Sequence, residues 1–177
     1  YVRNPLFSRM REIEVLQNVM SSELLELLRL KQNLVYSVTV SYSFFTGANM
    51  VEISGTCLPR DADAVIRMCM SYIRQRQTGA VPETTMSSVK GRLKMAAYAT
   101  ANSVPGVSAF FETAITSAMV SNSDTPLRDI IKGARFISYD ASVKEIDSVS
   151  ASGIMAHFAG ICIENAVSGY SIRSIKN

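Results

Sequence analysis

The sequence contains a single histidine in 177 residues. His157 sits in the apolar run Ile154-Met155-Ala156-His157-Phe158. One imidazole cannot supply a zinc site built from two histidines and a carboxylate, so these residues alone do not make a zinc hydrolase of that kind. A triad has little room either. Ser152 and Cys162 lie near His157 in sequence, but no third group stands out to orient it. The pattern reads His157 as a packed helix residue. Cysteine is also scarce. Cys57, Cys69 and Cys162 are odd in number, widely spaced and without a CxxC pair, which excludes a zinc knuckle and a thioredoxin-type motif. Their apolar settings suit buried free thiols and point to a reducing compartment. Neither GxxxxGK[ST] nor GxGxxG occurs, so nucleotide binding by those loops is excluded. No apolar run is long enough to span a bilayer. Residues 1–11 lack the apolar core of a secretory signal, and the first residue is Tyr1 rather than Met. The chain is therefore expected to start inside a longer gene product.

What is present is ordinary in bulk. With 47% hydrophobic and 19% charged residues, the composition is that of a globular protein with a sizeable core. The length suits one domain, 1–177. The net charge of +3 is too small for a dedicated nucleic-acid binder. The tightest basic group, Arg67, Arg74, Arg76, Lys90, Arg92 and Lys94, is spread over two predicted helices and reads as solvated helix faces. The carboxylates Glu12, Glu14, Asp61 and Asp63 read the same way.

Hydrophobic spacing supplies the elements. Residues 6–31 read as helical, because Ile13, Leu16, Val19, Met20, Leu24, Leu27 and Leu28 recur at three- and four-residue steps, and Ser21-Ser22 is a candidate break, with Ser21 as N-cap of a second helix. Tyr36 to Phe44 alternates strictly, with Tyr36, Val38, Val40, Tyr42 and Phe44 on one face. A turn at Thr46-Gly47-Ala48-Asn49 leads to a second strand, Met50 to Cys57, with Val51, Ile53, Gly55 and Cys57 on one face. The pair predicts an antiparallel hairpin. Helices are predicted from Pro59 to about Gln77, from Pro82 to about Thr100, from Val104 to Val120, from Thr125 to Gly133, from Ala141 to Val149 and from Ser152 to Gly160. A final extended segment covers Ala166 to Ile175. Strands grouped together, with helices on one face, mean an α+β fold around a narrow antiparallel sheet. Such a sheet leaves exposed edges, where another part of a parent protein or a second copy could pair.

One segment narrows the function. Leu28-Arg29-Leu30-Lys31-Gln32-Asn33-Leu34-Val35-Tyr36 resembles the L-R-x-K-x-x-L-x-Y stretch of pitrilysin/insulinase peptidases and of their mitochondrial processing peptidase relatives. In both, a helix ends in Arg and a strand begins at Tyr seven residues later. The likeness extends, more weakly, to the hairpin, to Leu58-Pro59-Arg60-Asp61-Ala62, to Val81-Pro82-Glu83 and to Lys90-Gly91-Arg92-Leu93-Lys94, and so covers about Leu6 to Ile175.

The resemblance implies a processing-peptidase-like α+β domain, one of several arranged as two halves around a closed chamber. The amino-terminal half of such proteins carries HxxEH, a distant Glu and the zinc. HxxEH is absent here, so the resemblance is to the carboxy-terminal, non-zinc half, with no cofactor of its own. The implied partners are a zinc-bearing half, on the same or a separate chain, and a peptide substrate. Strands that open a whole family domain are also missing, which implies incompleteness at the amino end. In active relatives the second half supplies an Arg and a Tyr to the substrate backbone, and Arg29 and Tyr36 would fill those places. A structural reading stays open for both. A helix C-terminus favours Arg29 through the macrodipole, and Tyr36 could be a core residue with its hydroxyl at the rim. Relatives that have lost zinc serve as respiratory-complex core proteins or recognition partners, so a non-catalytic subunit is the alternative function. The implied location is a reducing intracellular compartment, mitochondrial matrix or cytoplasm.

Overall fold

The computed structural model describes residues 10–45, 48–106, 108, 112, 139–161 and 167–169. It divides into two compact units, residues 1–89 with 149–177 and residues 90–148.

The first unit is organised by helix α1, Met10–Leu25. Ile13, Val15, Leu16, Val19, Met20 and Leu24 are all buried along it. Fully burying one such side chain contributes about 1.5–3 kcal/mol, so this stripe dominates the local energetics. The break expected at Ser21-Ser22 does not occur. Serine costs a helix interior only tenths of a kcal/mol, and Val19, Met20 and Leu24 hold the turns on either side in the core. The helical run instead changes pitch further on, into a π-helical segment at Glu26–Lys31.

Strands β1 (Val35–Phe45) and β2 (Ala48–Cys57) pair antiparallel. They form a two-stranded sheet among the described residues. Helix α1 packs along β1, and the Gln17 side-chain amide donates to the Val40 carbonyl at 2.7 Å. The fold is α+β, as expected from the sequence.

A 3-10 turn at Pro59–Asp61 leads into α2, Ala62–Thr78. Helix α3, Glu83–Ala101, starts in the first unit and runs into the second. Helix α4, Tyr139–Ser148, belongs to the second unit, where Lys94 forms an ion pair with Asp147. Helix α5, Ala151–Ala159, returns to the first unit and packs on α1 and α2. Its N-cap is Ser150, whose hydroxyl accepts the Gly153 N–H at 3.1 Å. The helix expected over Val104 to Val120 is described only in part, and that of Thr125 to Gly133 lies outside the described residues. Of the expected final strand only residues 167–169 are described, and they are not in a strand.

Inside the first unit, Phe158 of α5 is fully buried and meets the Tyr72 ring edge-on at 6.2 Å. Glu23 of α1 faces α2. Its carboxylate accepts Arg76 Nη2 at 2.7 Å, Arg76 Nε at 2.8 Å and the Tyr72 hydroxyl at 2.7 Å. Arg76 also donates to the Ala80 carbonyl at 2.7 Å. Arg76 is therefore not the solvated helix residue that its place in a scattered basic group suggested.

Candidate functional site

The junction between the π-helical segment and β1 carries both candidate residues. Arg29 lies within Glu26–Lys31, on turns wider than those of an α-helix. Such segments are rare and frequently mark functional sites. The segment stops at Asn33, whose φ is +52°. This left-handed conformation is uncommon for a residue with a side chain, and asparagine tolerates it better than most. The Asn33 N–H donates to the Arg29 carbonyl at 3.1 Å, and the Leu34 N–H to the Leu28 carbonyl at 2.8 Å. These bonds satisfy helix-end carbonyls that would otherwise lack partners.

The strand then begins irregularly. Val35 pairs with Cys57 but Ser37 pairs with Thr56, so Tyr36 is the extra residue of a β-bulge. On β2 Val51, Ile53 and Cys57 are partly covered, while Met50, Glu52, Ser54 and Thr56 are exposed, as is Gly55, which has no side chain to cover. The residue opposite Cys57 must therefore face inward, and the bulge makes that residue Val35. Val35 is 5% exposed while Tyr36 is 63% exposed. This corrects the strict alternation read from the sequence, which placed Tyr36 on the face of Val38 and Val40. It also removes the reading of Tyr36 as a core residue.

Arg29 is exposed too. Neither the guanidinium nor the Tyr36 phenol has a hydrogen-bond partner among the described residues. Only Gln32, Asn33 and Leu34 separate the π-helical segment from β1. The structure thus sets the two side chains at either end of one short, internally bonded junction. Two further residues, Asn33 and Gly55, shape this corner and were not singled out from the sequence. Glycine within a strand was the available signal for the second, because it marks a bulge or a close backbone approach.

His157 is half-buried, as a packed helix residue should be, but it is also paired. Its Nε2 lies 2.9 Å from Glu12 Oε2, so Glu12 is not merely part of a solvated face. Among the described residues no three His, Cys, Asp or Glu side chains converge to hold a metal ion. Nothing there fits zinc. Burial pushes the Cys69 thiol up to about 11, away from reactivity. No helix among the described residues is long and apolar enough to cross a membrane.

Comparison with known proteins gives two findings. Residues 11–93, which include the whole junction and the hairpin, match the family described as Peptidase M16 inactive domain. Among solved structures, the chain is similar to the periplasmic protease PqqL from Escherichia coli, with 14% identity and a TM-score of 0.49 over 77% of this chain. The chain spans 15% of that protein's length. No curated protein matches.

Proposed function

We propose that the chain, 1–177, whose residues 11–93 match the Peptidase M16 inactive domain, is the carboxy-terminal, non-zinc domain of a zinc metalloendopeptidase. In this reading it closes the substrate chamber and orients the peptide. The zinc belongs to an amino-terminal half, on the same or a separate chain. The outer edges of the β1–β2 pair are where that half, or a second copy, would add a strand.

The observation that carries the reading is the state of the two motif side chains. Arg29 and Tyr36 are exposed, have no partner among the described residues, and flank a junction whose backbone is tied by its own hydrogen bonds. Both are donors. A guanidinium and a phenol can each donate to the carbonyl oxygen of a peptide bond, and more strongly as negative charge develops on it. Donors held in place beforehand need no reorganisation when the charge appears.

The test is peptide hydrolysis by the full-length protein with zinc. Arg29→Ala and Tyr36→Phe should each lower kcat by about 10²-fold, the usual effect of removing one oxyanion donor. The isolated chain should be inert. A full-length protein that hydrolyses peptides equally fast with both substitutions would reject the assigned roles. One that hydrolyses none would leave a structural or recognition subunit as the better account.

A further inference from the structure

The backbone leading to Tyr36 departs from regular geometry at three places. The helix widens into a π segment at Glu26–Lys31, Asn33 takes φ +52°, and β1 bulges at Tyr36. A fourth feature answers them from the facing strand. Gly55 pairs with Val38, next to the bulge. A Cβ built on Gly55 would lie 2.6 Å from the Ser37 carbonyl oxygen. That atom is backbone, so a side chain at 55 could be accommodated only by moving β1 where it presents Tyr36. Gly55 has no left-handed φ to explain it; close approach is the reason for glycine there.

We propose that Asn33 and Gly55 are positioning residues for Tyr36. The inference rests on the catalytic reading of Tyr36 given above. Asn33 sets the direction in which the chain leaves the helix, and Gly55 lets the bulge close against β2. With both in place, Val35 turns inward and the Tyr36 phenol stands in solvent. Displacing a group that contacts the reacting atoms by about 1 Å can cost up to 10²-fold in rate, so either residue is expected to act on kcat without touching substrate.

Five variants of the full-length protein, Tyr36→Phe alone among them, test this, each assayed for peptide hydrolysis and for its urea midpoint. Gly55→Ala is expected to lower kcat about 10-fold or more with little change in KM. Asn33→Val should do the same, because a β-branched residue is strained at positive φ. Asn33→Gly should keep wild-type kcat, because glycine adopts that conformation freely. Gly55→Ala made on Tyr36→Phe should lose nothing further, since the group it positions has gone. If Gly55→Ala fails to fold, the contrast between Asn33→Val and Asn33→Gly decides. Wild-type kcat in both Gly55→Ala and Asn33→Val overturns the proposal. So does an equal loss from Gly55→Ala in the Tyr36 and Tyr36→Phe backgrounds, which would mark a general structural effect. Wild-type kcat in Tyr36→Phe alone removes the catalytic reading of Tyr36, and this inference with it.

Discussion

The Glu23 carboxylate grips the Arg76 guanidinium at two points, 2.7 Å from Nη2 and 2.8 Å from Nε. The two side chains are only 10% and 18% exposed, so the pair ties α1 to α2 largely out of water. A fork of this kind depends on the planar geometry of arginine. Removing one partner from such a pair leaves a poorly solvated charge behind. Arg76→Ala should therefore cost about 3 kcal/mol in urea denaturation. Arg76→Lys should recover only part of this, since an ammonium cannot make both bonds. A loss below about 1 kcal/mol for Arg76→Ala would mean that water reaches Glu23 freely.

The thiol of Cys69 offers a pH test. Burial raises it from an ordinary value of 9.0 to about 11 in the folded protein. The neutral thiol is thus favoured by folding. Its contribution is fully present below the unfolded value and is lost as pH climbs from about 9 through about 11. Stability of the wild type should fall across that window, and Cys69→Ala should show a shallower fall. Alkylation of Cys69 in the folded protein should stay slow until the same window, because the thiolate is the reactive species. Rapid labelling near neutral pH would contradict this. Tyr72 moves in the same direction, through burial first and then the neighbouring Glu23 charge, so the comparison is best made between variants that all keep Tyr72.

Gly153 gives a prediction whose sign depends on its neighbour. A Cβ there would come within 2.9 Å of Glu12 Oε1, on the carboxylate that pairs with His157. Alanine is worth up to about 1 kcal/mol over glycine inside a helix. In the wild type, Gly153→Ala should show little or no gain, because Glu12 has to move and its bond to His157 is disturbed. In a Glu12→Ala background the obstacle is gone, and Gly153→Ala should then stabilise by up to about 1 kcal/mol. Thermal denaturation of the four proteins measures the difference. Equal effects in the two backgrounds would show that Glu12 and residue 153 do not compete for space.

The sequence announces features that repeat and conceals those that break a repeat. The stripe of α1 and the alternation of β2 at Val51, Ile53 and Cys57 follow from spacing alone. The bulge does not, because shifting one residue in β1 leaves the residue types of Tyr36, Val38 and Val40 unchanged while turning Tyr36 outward. The π segment is equally silent, since Glu26 to Lys31 contains no helix breaker. The Ser21-Ser22 break was expected from Ser21 as the N-cap of a second helix, and core burial overrode it. Glu23 and Arg76 are 53 residues apart, a pairing that only the tertiary fold creates. For the site, Arg29 and Tyr36 could be singled out from the family motif, whereas their exposure and the roles of Asn33 and Gly55 required coordinates.

Exposure makes a last prediction about Arg29 and Tyr36. Residues that build a core or close a network lower stability when truncated, whereas surface substitutions away from such features stay within about 0.5 kcal/mol. Tyr36 is 63% exposed, Arg29 is exposed, and neither side chain has a hydrogen-bond partner among the described residues. Arg29→Ala and Tyr36→Phe should therefore leave the urea midpoint nearly unchanged. Phe158→Ala, at a fully buried position, should cost about 3–5 kcal/mol under the same conditions. If Arg29→Ala or Tyr36→Phe instead destabilises by more than about 1 kcal/mol, the side chain is part of the structure's support, and any loss of hydrolysis could be a folding effect. If both are neutral for stability and harmful to kcat, the loss lies in the transition state, where the proposed donors would act.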